Sequence, residues 1–462
     1  MARNLLALVL CGMIMILSGC QSTNHQSRGQ EVSTASESRY DSMSEEASLA
    51  DASSQDNSIP SQNPLFLSQE YLPEYDMQND IQRFEWFCET PLLDYFIPGD
   101  GFLWYYDKSV GKLGKLCPRP ECTHDDNTCN AFLPGSFKGG GLCYYDGLLY
   151  YLSDIQTKDI MKKQQLYCGL YSLSLDGTQR NYVQDVNFST NGFNGFFRLH
   201  RGYIYHGVIN TIVAGGESQT RIIIRRQILG DSSAEAEILF EKKVEPNRGC
   251  DFFFQISGTT MYLLIEEHLI TEDILQYEDL EACTIDLRDN VCKPVGSYHL
   301  EDGCLTTDMH EYDGVIYIAR YNPFESLADL TAESINMVTG DWNRICTVPN
   351  KYGVYPLIGK GIVTGIGVRS ETSDAERMIV IADHNGNILS ELPVAMTEPQ
   401  RSNREIMTNS IVKYTTNEVL ILLYGEVSGV PTKETIRLSE ALLSCISIFN
   451  QNGNWDSRII TP

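Results

Sequence analysis

Glycine-led apolar runs recur along this chain at an interval near fifty residues, and that spacing limits the available folds more than any other feature. Gly101 leads into residues 102–106, Gly147 into 148–152, Gly202 into 203–205, Gly258 into 261–265, Gly314 into 315–318 and Gly361 into 362–363. A looser run follows Asn417. The successive glycines are 46, 55, 56, 56 and 47 residues apart. Most runs are followed by a second apolar stretch that ends in a turn dipeptide, as at Asp176-Gly177, Asn385-Gly386 and Asn452-Gly453. Such dipeptides suit hairpin turns that need positive φ. Each unit therefore reads as a small antiparallel sheet. Sheets this small cannot bury both faces alone and must stack on neighbours. Radial stacking of four-stranded blades is the arrangement that protects their edges.

The expected fold is all-β, a β-propeller of seven blades over residues 64–462. Six or eight blades are also compatible, because residues 64–98 could complete a blade with the C-terminal strand. Two β-sandwiches in series are the competing architecture. A weak helical pattern at residues 266–280 is the one exception to the β reading.

Leu149-Tyr150-Tyr151-Leu152-Ser153-Asp154, followed by Gly169-Leu170-Tyr171-Ser172-Leu173-Ser174-Leu175-Asp176-Gly177-Thr178, resembles one blade of the Tyr-Trp-Thr-Asp propellers of the low-density-lipoprotein-receptor type. It is also similar to repeats of TolB-like propellers. Tyr151 stands where that motif has Trp, and Leu152-Ser153 where it has Thr. The resemblance implies a fold and no activity.

The N-terminus predicts an address. Arg3 gives a positive start, residues 5–17 are apolar or small, and Leu17-Ser18-Gly19-Cys20 follows at once, which is the order of an export signal. Thirteen residues at about 1.5 Å each fall short of the roughly 20 residues that span a bilayer. Leu17-Ser18-Gly19-Cys20 resembles the lipobox of bacterial lipoproteins. That resemblance implies diacylglycerol on the Cys20 thiol and cleavage before it, a stable anchor when two or more acyl chains are present. Residues 1–19 are thus expected to be a signal peptide. The membrane partner is reached through the lipid, on the extracellular side, or in the periplasm or outer membrane of a Gram-negative cell.

Residues 21–63 hold one aromatic side chain, Tyr40, and seven acidic against two basic groups. Such a segment buries too little apolar surface to offset its ordering entropy, and is expected to be a disordered acidic tether. Beyond residue 19 the formal charge is 34 minus 61, or −27, since only Arg3 is lost from 35 basic residues. That balance argues against nucleic acid and against a basic membrane-binding patch.

Cys117, Cys122, His124 and Cys129 form the most pointed local cluster, in a stretch that Pro118, Pro120, Asp125 and Asp126 keep irregular. Three thiolates and an imidazole could supply the four ligands of a structural zinc, although Cys-x4-Cys-x-His-x4-Cys departs from common zinc knuckles. Twelve cysteines remain after Cys11 and Cys20. An even number in an exported domain equally permits disulfides among Cys117, Cys122, Cys129 or nearby Cys143, which would leave His124 an ordinary surface residue. With Cys117-Pro118-Arg119-Pro120-Glu121-Cys122-Thr123-His124 between lipobox and repeats, the chain as a whole resembles uncharacterised propeller lipoproteins of Gram-positive bacteria. No activity comes with that likeness.

Searches for catalytic motifs return little. No nucleophile elbow, zinc-protease helix or phosphate loop occurs in the sequence. Gly359, Gly361 and Gly365 have the wrong spacing for a dinucleotide fingerprint. Residues 383–387 faintly suggest a calcium loop but fit a hairpin turn better. Ser174-Leu175-Asp176-Gly177-Thr178 comes near the Asp-box turn of sialidase propellers, once and one residue short. Two functional classes follow: a non-catalytic binding or scaffolding module for a protein, peptide or glycan, or an extracellular polysaccharide hydrolase or lyase with its site in the channel.

Overall fold

In the computed structural model of the chain, the described residues form twenty-eight strands in seven separate four-stranded antiparallel sheets, an all-β seven-bladed propeller. Described are residues 70, 72–76 and 87–462, apart from 99–100, 127, 134–140, 157–164, 190–196, 215–216, 232–234, 272–273, 326–328, 353, 369–376, 404–406 and 426–431. Arg3, the 5–17 run, Cys20 and the 21–63 segment lie outside the described residues. Among the described residues no helix is long and apolar enough to cross a membrane.

Blade 1 is β1 (Phe87–Glu89), β2 (Leu93–Phe96), β3 (Trp104–Asp107) and β4 (Lys112–Lys115). Blade 2 is β5 (Leu142–Tyr145), β6 (Leu148–Gln156), β7 (Gln165–Ser174) and β8 (Arg180–Ser189). Blade 3 is β9 (Phe197–His200), β10 (Tyr203–Ala214), β11 (Glu217–Ile228) and β12 (Glu237–Lys243). Blade 4 is β13 (Gly249–Ser257), β14 (Thr260–Thr271), β15 (Ile274–Asp286) and β16 (Val291–Leu300). Blade 5 is β17 (Leu305–Tyr312), β18 (Val315–Tyr321), β19 (Leu330–Asn336) and β20 (Trp342–Val348). Blade 6 is β21 (Leu357–Gly359), β22 (Ile362–Val368), β23 (Arg377–Asp383) and β24 (Ile388–Pro393). Blade 7 is β25 (Met407–Tyr414), β26 (Glu418–Gly425), β27 (Ser444–Gln451) and β28 (Asn454–Ile460). Among the described residues three short helices decorate the ring: α1 (Pro73–Asp76), α2 (Glu398–Ser402) and α3 (Lys433–Leu442).

Three of the glycine-led turns, at 146–147, 201–202 and 313–314, sit where two successive residues both take positive φ. Asp146 and Gly147 join β5 to β6 with φ of 50° and 74°, and Asp313 and Gly314 join β17 to β18 with 54° and 75°. That pair of signs matches the right-handed twist of the strands it connects. One turn sits differently from its expected place. Gly101 leads into β3, the third strand of its blade, whereas the other five glycines lead into the second. The equivalent turn of blade 1 is residues 90–92, held by Thr90 Oγ1 donating to the Leu93 carbonyl at 2.8 Å.

Seven apolar clusters hold the ring together, one between each pair of neighbouring blades. The cluster between blades 7 and 1 joins Phe87, Phe102 and Trp104 to Leu420, Leu422 and Cys445. Each blade is built from consecutive strands. β28 pairs with β27, and β1 with β2, so the described residues between 64 and 98 do not complete a blade with the C-terminal strand. The 266–280 stretch is not helical either. Its described residues belong to β14 and β15, paired as Glu266 with Leu280 and His268 with Glu278. Its charged residues alternate with apolar ones closely enough to imitate a helical stripe.

Outer strands carry the edge protection expected of an open sheet. Between third and fourth strands, blades 2 to 6 each contain a bulge, which bends the outer strand away from flat pairing. In β16 the exposed edge also carries Pro294, which removes a donor. Helix α1 is fastened by Asp76, whose carboxylate accepts from Arg201 Nη2 at 2.8 Å and Nε at 3.1 Å.

Candidate metal centre

The connection from β4 to β5 leaves blade 1 through Cys117 and closes on itself by Cys129. Its backbone bonds are turns: Cys122 N donates to Arg119 O at 3.2 Å and Cys129 N to Asp126 O at 3.3 Å. Asp126 also accepts from Thr128 N and Thr128 Oγ1 at 2.8 and 2.5 Å. His124 takes a left-handed conformation, φ 55°, which folds the chain back on itself. Leu103 N donates to Ala131 O and Leu133 N to Gly101 O, both at 2.8 Å, so the end of the loop is sewn to blade 1. Arg180 of blade 2 donates to the carbonyls of Asn130 and Phe132 from the other side.

This folding brings Cys117, Cys122, His124 and Cys129 together, with one ligand atom of each within 4.8 Å of all the others. His124 Nδ1 lies 3.4 Å from Cys129 Sγ. Ligand atoms around a tetrahedral zinc with Zn–S near 2.3 Å sit roughly 3.6 Å apart, so the cluster is within a short contraction of that geometry. The donor set is soft and nitrogen-containing, which suits zinc over magnesium or calcium. The Cys3His cluster could hold a metal ion.

The surroundings act in opposite directions on Cys117 and Cys129. Burial alone raises the Cys117 thiol, but backbone N–H groups of Arg119 and Asn130 and the neighbouring Cys129 and Arg119 side chains outweigh it, so the thiol sits below its usual range. Burial dominates at Cys129 and pushes its thiol up to about 12, against an opposing N–H from Ala131. Burial and then the Lys115 cation lower the His124 imidazole, which keeps its ring neutral and available as a ligand. Arg119 Nη2 is 3.6 Å from Cys122 Sγ and also donates to the Thr128 carbonyl. Its charge would offset the net negative charge of three thiolates around a divalent ion bound there.

The disulfide alternative does not describe this cluster. All twelve cysteines among the described residues are free thiols. Cys143, proposed as a partner, is buried on β5 and donates to the Phe197 carbonyl at 3.7 Å. His124 is consequently a member of the cluster and not an ordinary surface residue.

Sequence reading missed the residues that hold the loop from outside. Lys115, whose side chain is almost wholly buried, donates to His124 O at 2.7 Å and to Glu440 Oε2 at 2.9 Å. It also lies over the rings of Phe102 and Trp104, at 4.6 and 5.2 Å. Asp125 accepts from Thr123 Oγ1 at 2.6 Å and faces Arg437 at 3.2 Å and Lys433 at 3.5 Å. Thr123's hydroxyl, ahead of those two cations, holds the Asp125 carboxyl below its usual range. Helix α3 itself carried a local signal, the Thr432 and Thr435 capping box ahead of Ile436, Ser439 and Leu442 at three-residue steps.

Beside the loop lies a cleft of about 670 Å³, lined by Thr123, Asp125, Thr397, Arg437, Glu440 and Leu443 among others. Two sequence candidates prove to be ordinary turns. Asp383 accepts from Asn385 N and Asn387 N, both at 2.9 Å, between β23 and β24. Asp176 accepts from Ser174 Oγ at 2.6 Å and Thr178 N at 3.0 Å.

No family model and no curated protein matches the chain. Among solved structures it is similar to one of two prolyl endopeptidases, at 9% identity and TM-score 0.47, over 87% of this chain and 53% of that one. It is similar to an oligogalacturonate lyase in complex with manganese, at 14% identity and TM-score 0.42, over 78% and 86% of the two chains. The third is the β-propeller domain of the Trilobed protease from Pyrococcus furiosus, which has an open velcro topology, at 8% identity and TM-score 0.41, over 83% and 98%. The chain spans about half the length of the endopeptidase. These likenesses concern the fold.

Proposed function

We propose that this protein is a lipid-anchored, extracytoplasmic propeller that binds or scaffolds a protein, peptide or glycan, and that its Cys3His loop carries a structural zinc. The observation that carries the reading is the closed donor set. Cys117, Cys122, His124 and Cys129 bring four ligand atoms within 4.8 Å of one another, enough to fill a tetrahedral shell, and a zinc with four protein ligands keeps no position for water or substrate. Such an ion contributes folding energy and shape. The Leu17-Ser18-Gly19-Cys20 sequence supports the anchor, and the acidic 21–63 segment supports a tether that carries the domain away from the bilayer. The open cleft between the loop, α2 and α3 is the surface nominated for the ligand.

Native mass spectrometry of the mature, non-reduced protein, with elemental analysis, tests this reading. Expected are an acylated Cys20 at the N-terminus, one zinc per chain, and no disulfide within residues 117–129. An unlipidated N-terminus contradicts the anchor. A metal-free protein with oxidised Cys117, Cys122 or Cys129 contradicts the zinc.

A further inference from the structure

Among the described residues, the polypeptide itself crosses six of the seven junctions between blades, whereas blades 7 and 1 share no strand. That seam must therefore be closed by side chains alone, at the entropic cost of bringing distant parts of the chain together. Its middle is apolar, and Cys117, Cys122 and Cys129 pack in the same cluster as Ile436 and Leu443 of blade 7. At one end of the seam Lys413 of β25 reaches Glu89 of β1. At the other end, the connection that follows β4 meets α3, which joins β26 to β27.

We infer that the metal in the Cys3His loop is the clasp of the ring, fixing residues 117–129 in the shape on which α3 of the last blade docks. The inference rests on the zinc reading of that site. Three features of the geometry support it. Lys115 ties the carbonyl of His124, a ligand residue, to Glu440 of α3, which lies 325 positions beyond Lys115. Asp125, next in the chain after His124, faces both Lys433 and Arg437 of the same helix. The loop's own bonds are isolated turns around two prolines, with no sheet or helix to maintain them. Metal ligation is then the interaction that sets where the His124 carbonyl and the Asp125 carboxylate stand, because binding energy at such a site is folding energy. Without it the three thiols are left with weak hydrogen bonds, and α3 loses its platform.

Hydrogen–deuterium exchange of the mature chain, zinc-replete and chelator-stripped, tests the clasp when zinc content is measured on the same samples. Stripping is expected to accelerate exchange roughly tenfold or more in residues 433–442 and 407–414 as well as 117–129, with residues 260–286 unchanged. Acceleration confined to 117–129 overturns the clasp and leaves the zinc reading intact. Uniform acceleration through all blades also overturns it, since a clasp releases its own seam first. A chain that arrives without metal and takes up none overturns the zinc reading and the clasp with it. Lys115→Met keeps all four ligands and provides an independent arm. It should retain zinc yet release residues 433–442, and wild-type protection of that helix in the zinc-loaded variant would contradict the clasp.

Discussion

Lys413 Nζ donates to Glu89 Oε1 at 2.7 Å, joining the last blade to the first across the one junction that no described connection crosses. Lys108 reaches the same carboxylate oxygen at 3.1 Å, and Lys413 also pairs with Glu418 at 3.0 Å. Burial raises the Glu89 carboxyl, but Lys413 and then Lys108 outweigh it and hold it below its usual range. Its stabilising contribution is accordingly complete above the unfolded value and lost as pH falls through the lowered one. A double-mutant cycle of Glu89→Gln and Lys413→Met, followed by denaturant unfolding at neutral pH, should give a coupling of roughly 1 to 3 kcal/mol. Additive effects would show that the pair contributes nothing to the seam.

Asp94 behaves oppositely although it shares Lys108. It is fully buried, and desolvation pushes its carboxyl up to about 6 despite Lys108 and Lys413. A raised pKa supplies stability that is present below the unfolded value and lost as pH rises through the folded one. Asp94→Asn removes that dependence. Between about pH 5 and about pH 7.5, the stability of the variant relative to wild type should rise by about 1.5 kcal/mol. Urea denaturation at the two pH values measures it, and an unchanged difference would refute the assignment.

The contacts of α3 should differ sharply in worth. Arg437 is largely exposed opposite Asp125, so Arg437→Ala is expected to cost about 0.5 kcal/mol or less. Ile436 is buried in the seam cluster, and Ile436→Ala should cost about 2 to 4 kcal/mol. Thermal unfolding of the two variants under identical conditions orders them. The reverse order would mean that α3 is held electrostatically.

Thiol reactivity should single out Cys292. It is exposed on β16, and a hydrogen bond from Cys283 lowers its thiol to about 7, while Cys283 is raised in exchange. Brief alkylation at neutral pH, read by peptide mass spectrometry, should modify Cys292 ahead of the buried Cys88, Cys143 and Cys445, whose thiols burial raises. Equal labelling of the buried set would contradict the packing described.

What the sequence disclosed and what it hid follow from range. The Asp146-Gly147 and Asp313-Gly314 turns were legible because positive φ at two successive positions restricts residue choice. Blade 1 escaped phase because its first turn uses Thr90, Pro91 and Leu92, which carry no such signature. The four ligands were legible as a local cluster of soft donors. Their setting was not, since Lys115 and Glu440 are 325 positions apart, and Asp125 and Arg437 312, with no local pattern linking either pair. Disulfides competed with metal on cysteine count alone, and only the fold separates Cys143 from the other three.

X-ray absorption at the zinc edge of the native, zinc-replete protein tests the centre of this account most directly. Three sulfur scatterers near 2.3 Å and one nitrogen near roughly 2.0 Å are predicted, with the signal changed by Cys129→Ser. An oxygen-rich shell indifferent to that substitution would contradict the assignment of the metal to Cys117, Cys122, His124 and Cys129.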